Sequence, residues 1–223
     1  MITSNYLVHD CETGGLDADK NPITQYACII LDSRTLKELD RYETFVKPYG
    51  DLKIDEVALK KTMVTMSDIK RGVSVKEFVK TVVSLYKQYQ SNAKYKEAQR
   101  LISVGHNIPF DHNFLNYAFD FCDAGDIWQY IHPNFIDTLP LTKLAFGING
   151  DEKIRLSDAV RYTKLKITDA HGAMNDVEAN ADYLRWIMKR LRSKKGVGTD
   201  AEDKERAKGQ EFFEFKCAGK SPK

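Results

Sequence analysis

The chain has 223 residues, of which 42% are hydrophobic and 30% charged, and its formal net charge is +2. That length supports one substantial domain and little else. The near-balance of charge excludes a broad basic field for tight, sequence-independent binding of long duplex DNA, while a small strand-end site remains compatible. Cys11, Cys28, Cys122 and Cys217 match no zinc spacing, and a domain of this size needs no disulfide framework, so they read as reduced thiols of a cytoplasmic protein. The opening segment MITSNYLVHD has neither a basic n-region nor an apolar h-region, and no apolar run is long enough to span a bilayer, so no membrane association is expected. No repeat of 20–50 residues is visible.

Tyr6–Asp10 reads as a short buried strand, Ile23–Leu31 as a second and Leu39–Val46 as a third. The stretch Thr13–Pro22, with two glycines and a proline, makes the first hairpin connection. Ser74-Val75-Lys76-Glu77 fits a capping box, opening a helix with Val75, Phe78, Val79, Val82, Tyr86 and Tyr89 on one stripe. Leu101–Val104 is a fourth strand, and Pro109 is placed to begin the helix that follows Gly105-His106-Asn107, with Phe114, Leu115, Ala118 and Cys122 facing inward. Asn134–Asp137 reads as a short fifth strand, and helices follow around Leu139–Phe146, Leu156–Tyr162 and Ala173–Arg192. The order predicts an α/β fold with a mixed five-stranded sheet, three antiparallel strands and then parallel ones, and helices on both faces. After Arg192 the composition turns polar. The predicted organisation is a catalytic domain over residues 1–195 and a tail over 196–223, whose aromatic cluster is Phe212, Phe213 and Phe215.

Four acidic residues and a histidine stand out within that frame: Asp10, Glu12, Asp111, Asp176 and His171. Asp10 and Glu12 are two apart on an extended chain and point to one face, shared with Tyr6 and Val8. Taken alone, the pair is an ordinary strand-end turn. Asp111 lies in the first turn of a helix after a strand. The helix dipole favours a carboxylate there by roughly 0.3–1 kcal/mol, but the C-terminal end of a strand is also where open α/β sheets place ligands. Asp176 borders the apolar stripe of Ala173, Val177, Ala181 and Leu184, a costly place for a lone carboxylate and a sensible one for a metal ligand. His171, next to Gly172, would in isolation be a solvated loop residue. Four carboxylates cannot share a small volume without cations, because each raises the others' pKa and resists desolvation. Two divalent ions resolve that conflict, and a histidine beside them suits proton transfer from water.

The segments Asp10-Cys11-Glu12-Thr13-Gly14-Gly15-Leu16, Gly105-His106-Asn107-Ile108-Pro109-Phe110-Asp111 and His171-Gly172-Ala173-Met174-Asn175-Asp176 resemble the three exonuclease motifs of the DnaQ-like superfamily. The likeness extends to ITQYACIILD, Phe45–Pro48, Ala58–Thr65 and Ile136–Leu139, and covers roughly residues 5–190. The five-residue gap from His171 to Asp176 is that of the DEDDh branch. The resemblance implies a ribonuclease-H-like sheet and 3′→5′ exonuclease action. It also implies that Asp10, Glu12, Asp111 and Asp176 hold two Mg²⁺ ions, which Mn²⁺ can replace, and that His171 is the general base on the attacking water. By the same likeness Thr13, Gly14, Leu16, Asn107 and Phe110 line the substrate pocket, Leu16 as an apolar wedge against the terminal base. For Leu16 and Phe110, packing in the core is an equal alternative. Gly14 departs from the family's usual threonine, which alters that pocket. Asp137, in an Asp-Thr-Leu context, reads as a structural helix cap.

The expected activity is metal-dependent release of nucleoside monophosphates from the 3′ ends of single-stranded DNA, free-standing or as proofreading in trans. One alternative is a 3′→5′ exoribonuclease or oligoribonuclease-like enzyme, since no residue here settles the sugar. The other is a nucleic-acid-binding subunit that has lost catalysis, which the intact acidic set argues against. The basic end of the last helix, from Arg185 to Lys195, reads first as a complement to the helix dipole and only second as a guide for the strand. The tail's phenylalanines read first as folding back, with a docking peptide for a replication protein as the alternative.

Overall fold

In the computed structural model, residues 4–62, 64–90, 99–148, 152–163, 165 and 172–192 are described. The chain divides into two compact units, Met1–Arg185 and Trp186–Lys223. Strands β1 (Tyr6–Thr13), β2 (Ile23–Leu31), β3 (Glu38–Phe45), β4 (Ile102–Gly105) and β5 (Ile136–Asp137) form one sheet in the order β3-β2-β1-β4-β5. β1–β2 and β2–β3 pair antiparallel, while β4 runs parallel to β1 and β5 parallel to β4. This is the mixed sheet expected from the sequence. Strand β1 extends past its apolar run because Cys11 and Glu12 still pair with Tyr26 and Gln25, before the register shifts at Thr13.

The period-2 alternation of β1 divides its side chains between two layers. Leu7 and Cys11 join Tyr26, Cys28 and Ile30 of β2 in a core covered by helix α3 (Val75–Tyr89) and helix α4 (Ile108–Phe121). Phe78, Val82 and Tyr86 of α3 and Phe114, Leu115, Ala118 and Phe119 of α4 fill that layer. At its centre the Tyr26 and Tyr86 hydroxyls hydrogen-bond to each other, so two buried phenols satisfy their polar ends. The other face receives helix α7 (Ala173–Arg192), with Ala173, Val177, Ala181 and Leu184 buried. Thr138 and Thr142 of helix α5 (Thr138–Phe146) bond Asn180 Oδ1 and Tyr183 OH of α7, each at 2.9 Å. Helices therefore flank the sheet on both sides.

Several local expectations shift. Helices α1 (Glu56–Lys61) and α2 (Met66–Arg71) carry no apolar stripe long enough to predict. α2 is held by a reciprocal capping box between Thr65 and Asp68, whereas Ser74 supplies only the forward bond, from Glu77 N–H at 3.2 Å. β5 shrinks to two residues, and Cys122 is only half-buried because α4 ends before it. Helix α6 (Leu156–Thr163) packs Leu156 and Val160 against Ala179 of α7. Of the second unit, the last turns of α7 are described, with the Arg190 guanidinium 3.4 Å above the Trp186 ring. The Cys217 thiol and the cluster Phe212, Phe213, Phe215 lie outside the described residues.

Phe78 is fully buried and meets the Tyr26 ring edge-on at 5.3 Å between centroids. Phe78→Ala should therefore cost about 3–5 kcal/mol, read by urea denaturation, through lost transfer energy and a residual cavity.

Candidate active site

Strands β4 and β5 stop beside the middle of β1, and the candidate site is built where β1 runs on past them. Asp10 and Glu12 leave β1 on the α7 face, opposite Ala27 and Gln25 of β2. Asp176 lies in the first turn of α7, one turn from the helix start. Carboxylate oxygens of Asp10, Glu12 and Asp176 all lie within 4.8 Å of one another, and all three residues are half-buried, a set able to hold a metal ion. Asp111 is more deeply placed, 3% exposed in the first turn of α4, and its Oδ1 accepts from the Cys11 N–H at 2.9 Å. The structure thus brings three of the four predicted carboxylates into one cluster and ties the fourth to the backbone between Asp10 and Glu12. His171 lies outside the described residues.

The electrostatics follow from crowding. Burial raises the Asp10 carboxyl well above the usual range, and Asp111, Asp176 and Glu12 each push it further. Burial and Asp176 push Glu12 up to about 7. Asp111 is also raised, burial outweighing the lowering effect of its bond from Cys11 N–H. A carboxylate at a helix N-terminus is normally favoured in its charged form. Here desolvation wins, so the helix dipole does not account for Asp111. Carboxylates that hold their protons this tightly are groups in need of a cation.

The remaining predicted pocket residues differ in what they can offer. Leu16 is 82% exposed, which removes the core-packing alternative for it. Phe110 is half-buried at the edge of the core, its ring 4.8 Å from that of Phe114. Asn107 is exposed in the left-handed conformation, with its N–H bonded to Asp137 Oδ1 at 3.0 Å. Asp137 also accepts from Leu139 N–H, which makes it the cap of α5, as expected. The Thr13 hydroxyl is turned back onto the Gly15 carbonyl at 2.6 Å. Gly14 offers no free group: its N–H donates to the Pro22 carbonyl and its own carbonyl accepts from Asp55 N–H. A Cβ at Gly14 would stand 2.8 Å from Pro22 Cδ and 3.2 Å from Ile54 Cα, so the family's threonine does not fit here. A groove of about 420 Å³ opens beside Leu16, with Phe110, Asn113, Phe114, Asn116 and Tyr117 in its wall, and no lysine or arginine lines it.

Two features escaped the sequence reading. On the opposite face of β1, His9 and His112 both bond Ser103 Oγ, at 3.1 and 2.9 Å, with their rings stacked 5.6 Å apart. Burial holds both imidazoles neutral, His112 pushed down to about 4. The only hint was that each histidine sits beside a site carboxylate on an alternating strand or a helix. The second is Gln25, buried beside Thr24 in an otherwise apolar strand. Among the described residues no helix is long and apolar enough to cross a membrane.

The family model described as "Exonuclease" matches residues 7–184. The chain belongs to this exonuclease family, and by class it is a 3′→5′ nuclease of the DnaQ-like, DEDDh kind. Among curated proteins it is similar to ribonuclease T of Shewanella sp. strain W3-18-1, 26% identical over 207 residues that cover 89% of each chain. It is also similar to the PolC-type DNA polymerase III of Mycoplasmopsis pulmonis, 28% identical over 144 residues, 65% of this chain and 9% of that one. Among solved structures, E. coli exonuclease I in complex with a dT13 oligonucleotide aligns with a TM-score of 0.65 at 22% identity, over 83% of this chain and 41% of that chain. This chain therefore spans about two fifths of exonuclease I, and that likeness speaks for the fold.

The pH dependence of the metal-free protein follows from these carboxyls. An acid whose folded pKa lies above its unfolded value binds more protons when folded, so stability falls as pH rises between the two values. For Glu12 that window runs from about 4.5 to about 7. In EDTA, Tm should fall across it, and a divalent cation added at its upper end should restore the loss. A flat profile in EDTA would contradict the crowding.

Proposed function

We propose that the protein releases nucleoside monophosphates from the 3′ ends of single-stranded nucleic acid, with DNA favoured, by metal-assisted hydrolysis. The observation that carries this reading is the convergence of Asp10, Glu12 and Asp176 within 4.8 Å at the strand ends of an exonuclease-family sheet. An all-carboxylate set with raised pKa values fits hard divalent ions, which prefer oxygen ligands. Asp10, Glu12 and Asp176 would hold one ion, and Asp111 together with Asp10 a second. Bound there, two Mg²⁺ ions, or Mn²⁺ in their place, supply an activated water and offset charge on the phosphate and leaving oxygen. His171 takes the proton from the attacking water, as suits a side chain whose ordinary pKa is about 6.5. Exposed Leu16 wedges against the terminal base, and Phe110 and Asn107 shape the pocket around it. The groove beyond Leu16, lined by Asp17, Asp19 and Asp120 as well as by Phe110, disfavours a phosphate. Gly14 and Thr13 act through the turn they hold rather than through a free side chain.

The RNA reading rests on one specific observation, the likeness to ribonuclease T along almost the whole of both chains. The DNA reading draws on the fold shared with exonuclease I bound to an oligodeoxynucleotide, and the PolC-type relative is in keeping with proofreading in trans. We take the catalytic domain as residues 1–195 and the polar 196–223, which lie outside the described residues, as a tail.

The test is a gel assay on 5′-labelled single-stranded DNA and matched RNA with Mg²⁺, Mn²⁺ or EDTA. A metal-dependent ladder shortening from the 3′ end is expected, lost in Asp10→Ala and Asp176→Ala. His171→Ala should lower kcat by roughly 10²–10⁴ while leaving Mn²⁺ affinity in place. The faster substrate identifies the sugar, and unchanged turnover in Asp10→Ala would refute the metal assignment.

A further inference from the structure

Gln25 is 5% exposed in the middle of the sheet and stands directly opposite Glu12 in the β1–β2 ladder, on the same face. Its Oε1 accepts from the Ala173 N–H at 3.3 Å, and its Nε2 donates to Glu43 Oε1 at 2.8 Å. Both partners have a single possible role, since a backbone N–H only donates and a carboxylate only accepts. The amide orientation is therefore dictated by its surroundings.

Ala173 begins α7, and the first four N–H groups of a helix have no partner within it. Such groups are usually capped by a side chain at the residue before the helix. Here that residue is Gly172, which has none. The cap comes instead from the sheet, across 148 positions of sequence. One turn further along α7 is Asp176, and two residues beyond it Glu178 accepts from Arg41 of β3 at 2.8 Å. The Arg41–Glu178 bond is exposed and screened, and Thr138 and Thr142 hold α7 beyond Asp176, at Asn180 and Tyr183, so the buried Gln25 bond is the restraint at the start of the helix, on the near side of Asp176.

We infer that Gln25 is a positioning residue for the nuclease reaction: it links Glu43 to the first N–H of α7 and so sets where Asp176 meets Asp10 and Glu12. This rests on the reading of those three carboxylates as metal ligands. The polar atoms of its side chain are taken by Ala173 and Glu43, so Gln25 acts through the helix. Glutamine alone fills both roles at this length. A glutamate keeps the acceptor for Ala173 but sets a second carboxylate against Glu43 and beside Glu12. A leucine keeps the volume and loses both bonds. Asparagine is one methylene too short.

The test uses the full chain with Gln25→Glu, Gln25→Leu and the exchange Gln25→Glu with Glu43→Gln, which restores the pair with donor and acceptor reversed. Mn²⁺ affinity without substrate, kcat and KM on single-stranded DNA, and Tm are read for each. Both single variants should weaken Mn²⁺ binding and lower kcat by ~10–100-fold, the usual effect of losing an outer-shell partner, with KM unchanged. The exchange should recover most of both losses. Glu43→Leu, at an exposed edge-strand position where folding is not at stake, should give a smaller loss in the same readouts. Lower Tm with unchanged Mn²⁺ affinity and kcat would overturn the inference and leave Gln25 a packing residue. A wild-type chain that neither binds Mn²⁺ nor cleaves would instead overturn the functional reading beneath it, and the inference with it.

Discussion

Carboxylates that repel one another are held together at one end of β1, and the rest of the structure arranges itself around that unfavourable contact. Burial and mutual repulsion both drive Asp10, Glu12 and Asp111 toward their neutral forms. Holding them there requires rigid supports from several directions. The β1–β2 ladder fixes Asp10 and Glu12 in register with Ala27 and Gln25. The Cys11 N–H holds Asp111 from below. α7 brings Asp176 from the far end of the domain and is secured by Gln25, by Arg41 and by the bonds of Thr138 and Thr142 to Asn180 and Tyr183. A cluster so costly to a protein without cations makes physical sense as a seat for them.

The two faces of β1 separate the charges of the site from the core. One face carries Asp10 and Glu12, while the other sends Leu7 and Cys11 into the apolar layer beneath α3 and α4. His9 and His112 lie on that second side, one position from a site carboxylate each, and Ser103 ties their rings together. Their neutrality matters, because a buried imidazolium there would alter the field on Asp10 and Asp111. The turn after β1 is equally constrained. Gly14 is enclosed by Pro22 and Ile54, which leaves Leu16 projecting beyond the fold.

Buried runs and helical stripes made most of this architecture readable from the sequence, because β2 is buried along its whole length and α3 and α7 each bury one stripe. Asp10, Glu12 and Asp176 were readable because each broke the apolar pattern at the end of an element. Helices α1 and α2 were not, since six residues cannot show a stripe and their stability comes from capping and neighbours. β5 was overestimated because Phe135 is exposed, its ring set edge-on against His112, and only Ile136 and Asp137 pair with β4. Gln25 was hidden because a polar residue in a strand looks alike whether it bonds water or a helix 148 positions away. Gly14 looked like a weakened motif. It became a packing requirement only once Pro22 and Ile54 were placed against it.

If divalent cations replace protons in this cluster, counting the protons released on binding detects the exchange. Mn²⁺ would be titrated calorimetrically into the full chain at about pH 6, where Glu12 is largely protonated, in two buffers that differ in ionisation enthalpy. Net release of protons on binding is expected, diminishing as the pH is raised well above 7. Binding without proton release at the lower pH would show that the carboxylates are already ionised and that no proton is exchanged for the ion.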